Sequence, residues 1–350
     1  MSPGDRRVEP PEIADCLRTS YGLTAARSEL LEGGLDQAAW TYRVTPASGP
    51  DRVLRVRQGP PRSAAYLVPR HLREAGAEAV VAPIPTVDQR LFVEREGLTW
   101  SLYPFVSGQN GYVRCMTAQH WHSLGAALRA VHDVPADSRL SAVTPREDFN
   151  VAQYDVLASW GADAESPDEA FTLTWNRNHA TIAAMHEQLR RLAEPMRDRP
   201  RRDVVCHGDL HPGNVLIDGE RVHIIDWDDV LLAPPERDFI FAPHESRAAP
   251  APSPASRPAP TPLGAPFFDG YDLPIAEVDW MALTYYRCER VVQDVIAWAG
   301  DAFGKAAADA ETAEAGRWLQ YIFESGDEPH DAIKAACYLP EHLDVLTGLG

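Results

Sequence analysis

The chain has 350 residues, 45% of them hydrophobic, enough to bury a sizeable core in one large or two medium domains. Its net charge of −18, from 51 acidic and 33 basic side chains, argues against nucleic acid or an anionic membrane surface as partner; it suits a cationic small molecule and a merely soluble surface equally well. Five scattered cysteines with no C-x-x-C pair, a charged Pro-rich start and no apolar run near ~18 residues point to a reduced, cytoplasmic chain without disulfides, structural zinc, signal peptide or membrane span.

Taken in order, the chain opens on a predicted helix from Pro11 to Tyr21. Proline suits its first turn, Ile13, Cys16, Leu17 and Tyr21 share a face, and Gly22 ends it. Strands are predicted at Arg27–Leu31, Trp40–Val44 and Val53–Arg57, joined by loops carrying Gly33-Gly34 and Ala47-Ser48-Gly49-Pro50. The loop from Glu32 to Ala39 could bring its backbone close to a phosphate, because glycine has no side chain in the way, or could simply turn a hairpin. A helix over Ser63–Ala75 is followed by strand-like runs at Val80–Ile84, Leu91–Glu94 and Leu98–Phe105. The last gives way to Ser107-Gly108-Gln109-Asn110-Gly111, an apolar strand running into a Gly-rich link, which marks a domain junction.

Beyond Gly111 the pattern is helical. Thr117–His132 has a threonine N-cap and Trp121, Leu124, Leu128 and Val131 at helical spacing. Helices are also expected at Phe149–Trp160 and Glu169–Leu192, the latter with Trp175, Ile182 and Leu189 on one face. A Pro/Ala/Ser-rich segment at about residues 243–266, with eight prolines, reads as an extended surface insertion. The remainder is predicted helical at Ile275–Ala299, Ala302–Ser325 and Pro329–Tyr338.

The stretch with the most chemistry is His207-Gly208-Asp209-Leu210-His211-Pro212-Gly213-Asn214-Val215-Leu216-Ile217-Asp218, followed by Val222-His223-Ile224-Ile225-Asp226-Trp227-Asp228-Asp229. Short apolar runs flank the turn signal Asp218-Gly219, so it reads as a hairpin. It carries three polar groups that a structural hairpin does not need: Asp209, Asn214 and Asp226. An aspartate, an amide five residues on and an aspartate closing the next strand match phosphoryl transfer. One carboxylate orients a substrate hydroxyl, and the amide and second carboxylate offer hard oxygen ligands to magnesium. A zinc site on His207 and His211 would need a helix, which Gly208, Pro212 and Gly213 oppose.

His-Gly-Asp-x-x-x-x-Asn with a strand ending in Ile-Asp-Trp resembles the aminoglycoside phosphotransferase family. The Tyr-Pro-Phe run at Tyr103, Pro-x-Glu-Arg-Asp at Pro234 and Tyr-Tyr-Arg-x-Glu-Arg at Tyr285 narrow the resemblance to its spectinomycin phosphotransferase branch. It implies an α+β, protein-kinase-like two-lobe fold, with a small antiparallel-sheet N-lobe over residues 1–106 and a larger, mainly helical C-lobe over 107–350. It further implies an ATP- or GTP-dependent small-molecule kinase that uses Mg2+ and a small cationic substrate, with a monomer favoured. Asp209 becomes the catalytic residue, and Asn214 and Asp226 the metal ligands. Nucleotide contacts fall on Gly33, Gly34, Asp36, Gln37, Arg55, Leu216, Ile225 and a hinge of Tyr103, Pro104, Phe105 and Val106. Substrate contacts fall on Trp227, Asp228, Tyr286, Arg287 and Glu289, while His207 and Asp238 support the loop.

One departure stands out. Arg55 occupies the place of the family's phosphate-contacting lysine, and the helix that should offer it a glutamate has only Glu74, near its far end. Three meanings stay open: a loosened nucleotide site, another partner for Arg55, or Arg57 in its place. At the level of function, an antibiotic kinase, a kinase of another metabolite and a nucleotide-binding pseudoenzyme all remain.

Overall fold

Alternating apolar residues in neighbouring strands build the first layer of the structure, a computed structural model that describes residues 8–31, 38–242, 265–303, 309–324 and 328–347. Strands β1 (Ala25–Leu30), β2 (Ala39–Pro46), β3 (Arg52–Gln58), β4 (Val93–Arg95) and β5 (Leu98–Pro104) form an antiparallel sheet in the order β1-β2-β3-β5-β4. Period-two patterning sends Tyr42, Val44, Leu54, Val56, Trp100 and Leu102 to one face. Helix α1 (Pro10–Tyr21) covers that face with Ile13, Cys16, Leu17 and Tyr21, completing one apolar cluster. The same alternation leaves Arg55 and Arg57 on the opposite face of the central strand, only partly buried. Glu96 and Gly97, both at positive φ, turn β4 into β5.

Two compact units divide the chain, and the sheet belongs to the first: Met1–Arg146, Val204–Leu232 and Gly264–Leu273. This division does not fall at residue 106. Helix α2 (Ser63–Glu74) follows β3, and the expected strand at Val80–Ile84 is instead a connector that docks onto the hairpin. Val81 N–H donates to the Ile224 carbonyl at 3.0 Å, and Ile224 N–H to the Ala79 carbonyl at 2.8 Å. Strand β6 (Gln109–Asn110) pairs antiparallel with β8 (Val215–Asp218), which pairs with β9 (Arg221–Ile224), so backbone ladders tie the hairpin to residues 79–110. Strand β7 (Val204–Cys206) pairs with β10 (Leu231–Ala233). Short helices α3 (Gly111–Arg114) and α5 (Ser138–Val143) flank α4 (Ala118–His132), whose cap is the expected Thr117. Helix α7 (Ala265–Tyr271) lies so close to α4 that a Cβ on Gly125 would sit 2.0 Å from the Phe267 carbonyl oxygen.

The second unit comprises Glu147–Asp203, Ala233–Leu263 and Pro274–Gly350, and among its described residues it is helical. Helix α6 (Glu169–Asp198) packs on α8 (Trp280–Phe303) and α9 (Asp309–Glu324), and α8 on α10 (Glu328–Ala336). Trp175, Ile182 and Leu189 are buried together along α6, as their spacing predicted. That helix runs past Leu192 and through Pro195, which forfeits one backbone hydrogen bond near the end of the helix. The helix expected at Phe149–Trp160 shrinks to a 3-10 turn at Ala152–Ser159. Asp148 and Asn150 explain this, since their side chains accept the N–H groups of Asn150 and Ala152 and offer the backbone an alternative to helix. The Pro-rich insertion falls almost entirely outside the described residues, as do Gly33, Gly34, Asp36 and Gln37. All five cysteines are free thiols, and no described helix is long and apolar enough to cross a membrane.

Candidate active site

The hairpin of β8 and β9 brings Asp209, Asn214 and Asp226 onto connected backbone. Gly208 turns the chain at φ +88°, and a Cβ there would lie 2.1 Å from the Asp229 carbonyl oxygen, so only glycine permits this approach. Asp226 also sits at positive φ, 61°, a conformation that aspartate tolerates better than most residues. His207 bridges the two loops. Its Nε2 donates to the Ile225 carbonyl at 2.8 Å and its Nδ1 accepts the Asp209 N–H at 3.3 Å, a pair of bonds that fixes the tautomer. Trp227 packs on the His207 ring with centroids 4.8 Å apart, and its Nε1 donates to the Ile224 carbonyl at 3.4 Å.

Asn214 donates from Nδ2 to the Asp209 backbone carbonyl at 2.9 Å, and its own N–H donates to the His211 carbonyl. Because the amide nitrogen serves that carbonyl, the amide oxygen is the atom suited to a hard cation. Asp226 is 41% exposed and offers the second such oxygen. A carboxylate and an amide oxygen fit magnesium, which keeps several waters and takes only one or two protein oxygens.

Asp209 has a companion that sequence reasoning set aside. His211 Nδ1 accepts the Gly213 N–H at 2.9 Å, so in the neutral ring Nε2 carries the proton, and it lies 3.6 Å from Asp209 Oδ2. Tyr112 stacks on this imidazole at 5.7 Å. The signal in the sequence is its place two residues from Asp209, in a loop whose Pro212 and Gly213 oppose a zinc-binding helix but not a contact with the aspartate.

Arg55 reaches the same segment from β3. Nη1 and Nη2 donate to Asp228 Oδ1 and Oδ2 at 3.1 and 2.8 Å, and Nη1 also donates to Asp226 Oδ1 at 3.0 Å. Burial alone would weaken the guanidinium's hold on its proton, but the charges of Asp226 and Asp228 outweigh it and raise the pKa. Of the three open meanings for Arg55, the structure provides a different partner. Helix α2 supplies none, since its Glu74 is spent on Arg70 at 2.7 Å. Where a helix acid might stand, α2 buries Tyr66, whose hydroxyl is raised by desolvation first and then by Asp228.

The first unit thus gathers Arg55, Asp209, Asn214, Leu216, Ile225, Asp226, Trp227 and Asp228, together with the end of β5. Leu216 and Ile225 are half-buried. Tyr103 is half-buried, and desolvation raises its phenol. Pro104 is exposed, Phe105 donates its N–H to the Asp51 carbonyl at 3.3 Å beneath the Arg43 guanidinium, and the Val106 carbonyl accepts from Gly108.

The expected substrate contacts require correction. Trp227 is 3% exposed and packed on His207, so it has no ring face to offer. Asp228 serves Arg55. Tyr286, Arg287 and Glu289 are interior residues of the second unit. Tyr286 packs edge-on against Tyr285 at 5.2 Å. Arg287 Nε donates to the Ile240 carbonyl at 3.3 Å. Glu289 pairs with Arg237 and accepts from Tyr154 at 2.9 Å. Their helical spacing was compatible with a site or a core, and burial decides for the core. Asp238 is buried in the turn Pro235–Asp238 of the second unit.

Known proteins share this fold. A spectinomycin phosphotransferase, solved with ADP and spectinomycin, superposes with a TM-score of 0.79 at 22% identity, over 94% of this chain and 99% of that one. An aminoglycoside phosphotransferase from Alicyclobacillus acidocaldarius superposes at 0.63 with 14% identity, over 95% and 97%. Likeness at these identities establishes the protein-kinase-like fold, an antiparallel sheet followed by a largely helical part. In sequence, 185 residues are 29% identical to protein StrN of Streptomyces griseus, covering 50% of this chain and 58% of that protein. Residues 29–274, which run from the sheet through the hairpin to α7, match the phosphotransferase enzyme family, and on that match the chain belongs to this family.

Proposed function

We propose that this phosphotransferase moves the terminal phosphoryl group of ATP to a hydroxyl of a small cationic antibiotic of the aminocyclitol or aminoglycoside class. The observation that carries the reading is the single hairpin presenting Asp209, Asn214 and Asp226, braced by His207. Asp209 orients the acceptor hydroxyl and takes its proton as the oxygen attacks in line, and His211 faces that carboxylate from 3.6 Å. Asn214 and Asp226 would hold magnesium, which when bound neutralises charge on the phosphate oxygens. Arg55 approaches from the sheet with a guanidinium suited to phosphate oxygens. In a loose transition state such residues act by positioning and electrostatics. The acidic balance of the chain, −18, favours a cationic acceptor, and solved structures of the same fold hold spectinomycin or hygromycin B beside a nucleotide.

The test is incubation with magnesium, ATP or GTP and a panel of hydroxylated amines headed by spectinomycin, read as mass gain of one phosphoryl group. Transfer to an aminocyclitol or aminoglycoside is expected, and Asp209→Asn is expected to abolish it while nucleotide still binds. Transfer only to a neutral sugar or an amino acid would move the assignment to another metabolite. Nucleotide binding without transfer to any acceptor would refute the kinase reading.

A further inference from the structure

In a kinase-like nucleotide site, a basic side chain that touches phosphate needs an acid to hold it, because a long cation otherwise samples many rotamers and loses entropy on binding. Helix α2 has no acid to give: its single glutamate, Glu74, is bonded to Arg70. The geometry points to Asp228 as the positioning residue for Arg55. The acid has moved from the helix to the strand end, two residues beyond the metal carboxylate. This rests on the reading of the hairpin as a nucleotide-dependent phosphotransfer site.

Three observations support it. The Arg55–Asp228 pair is two-pronged, at 3.1 and 2.8 Å, the planar fork-to-fork arrangement that a lysine cannot make. The substitution of arginine for lysine and the move of the acid therefore explain each other. Both side chains are mostly buried, 17% and 20% exposed, so the pair is shielded from solvent screening. Asp226, held by a single bond from Arg55, is 41% exposed. Asp228 thus keeps the guanidinium in place when Asp226 turns to a cation. Neighbouring charges fit the same account. Arg57 Nε stands 3.8 Å from Asp228 Oδ2, and Arg62 Nη1 donates to the Asp228 carbonyl at 3.5 Å. A consequence follows for control: nucleotide affinity depends on the strand end and not on an acid of helix α2.

The experiment measures dissociation constants of magnesium–ATP and of adenosine by calorimetry, on native protein and on the Asp228→Asn, Asp228→Glu, Arg55→Lys, Arg55→Lys/Asp228→Asn and Glu74→Gln variants. Asp228→Asn is expected to weaken ATP about tenfold to a hundredfold, the range for losing a charged hydrogen-bond partner, and to leave adenosine within about twofold. Asp228→Glu should recover part of the loss. The double variant should bind ATP no worse than Arg55→Lys within about threefold, since the pair is already broken. Glu74→Gln should bind as native. ATP binding by Asp228→Asn within about twofold of native overturns the inference, as does equal weakening of ATP and adenosine, or a Glu74→Gln loss of the same size. If Asp228→Asn does not fold, Arg55→Lys carries the same ATP-against-adenosine comparison, and equal weakening of both overturns the assignment. Native protein that binds no nucleotide at all refutes the underlying functional reading instead.

Discussion

Glu289 separates a site residue from a core residue, and its replacement is expected to unfold the protein before it alters substrate binding. Its side chain is 7% exposed and pairs with Arg237, itself 12% exposed, while Tyr154 donates to it at 2.9 Å and Tyr285 at 3.5 Å. Glu289→Met keeps much of the volume but strands the Arg237 guanidinium in the interior. Removing one partner of a buried pair costs about 3–5 kcal/mol. One neighbour moderates the loss. Burial first, and the Glu289 charge second, raise the Glu147 carboxyl; without Glu289 that group ionises more easily and becomes a substitute counter-charge for Arg237. The lower end, about 3 kcal/mol, is therefore expected, equivalent to a fall in Tm of roughly 6–12 °C for a unit of this size. Thermal unfolding followed by circular dichroism measures it. The double variant Glu289→Met/Arg237→Met removes both charges and should regain most of the loss, because a buried pair replaced by apolar groups is often neutral. A single variant melting within about 2 °C of native, with a raised KM for the acceptor, would refute the packing role and return Glu289 to the substrate site.

Three further outcomes are expected. Burial raises the Glu236 carboxyl to about 7 from 4.5, so this group favours the folded state fully below pH ~4.5 and loses that contribution as pH rises to ~7, on the order of 3 kcal/mol in all. Glu236→Gln keeps an acceptor for the Asp279 N–H and should flatten that slope, with the variant more stable than native at pH 8; parallel urea midpoints across pH 4–8 would count against it. Gly208→Ala forces a side chain at φ +88° against the Asp229 carbonyl, costing at least ~1–2 kcal/mol from the backbone alone, and phosphoryl transfer should fall more steeply than melting temperature. His211→Phe retains a ring for Tyr112 but loses the nitrogen facing Asp209; kcat should drop about tenfold or more with nucleotide KM unchanged, whereas an unchanged kcat would make His211 only a loop brace.

Elements whose causes are local can be read from the residues alone. Alternation of Leu54 and Val56 with Arg55 and Arg57 predicts a half-buried strand, and the structure places those residues on opposite faces. The threonine cap of α4, the face of α1 and the hairpin turn at Gly219 depend on neighbours a few residues away, so spacing and residue type suffice to read them. The polar triplet on the hairpin was legible for the same reason, since its members share one supersecondary unit. Features that depend on distant partners emerge only from the folded chain. Arg55 and Asp228 are 173 positions apart, and no pattern in either neighbourhood announces the pair. Spacing cannot tell whether Tyr286, Arg287 and Glu289 face solvent or a core, because a helix buried on most sides carries the same periodicity as one lining a site. The run Val80–Ile84 is a connector whose backbone bonds divide between distant partners, Val81 N–H to the Ile224 carbonyl of the hairpin and Ile84 N–H to the Leu102 carbonyl of β5.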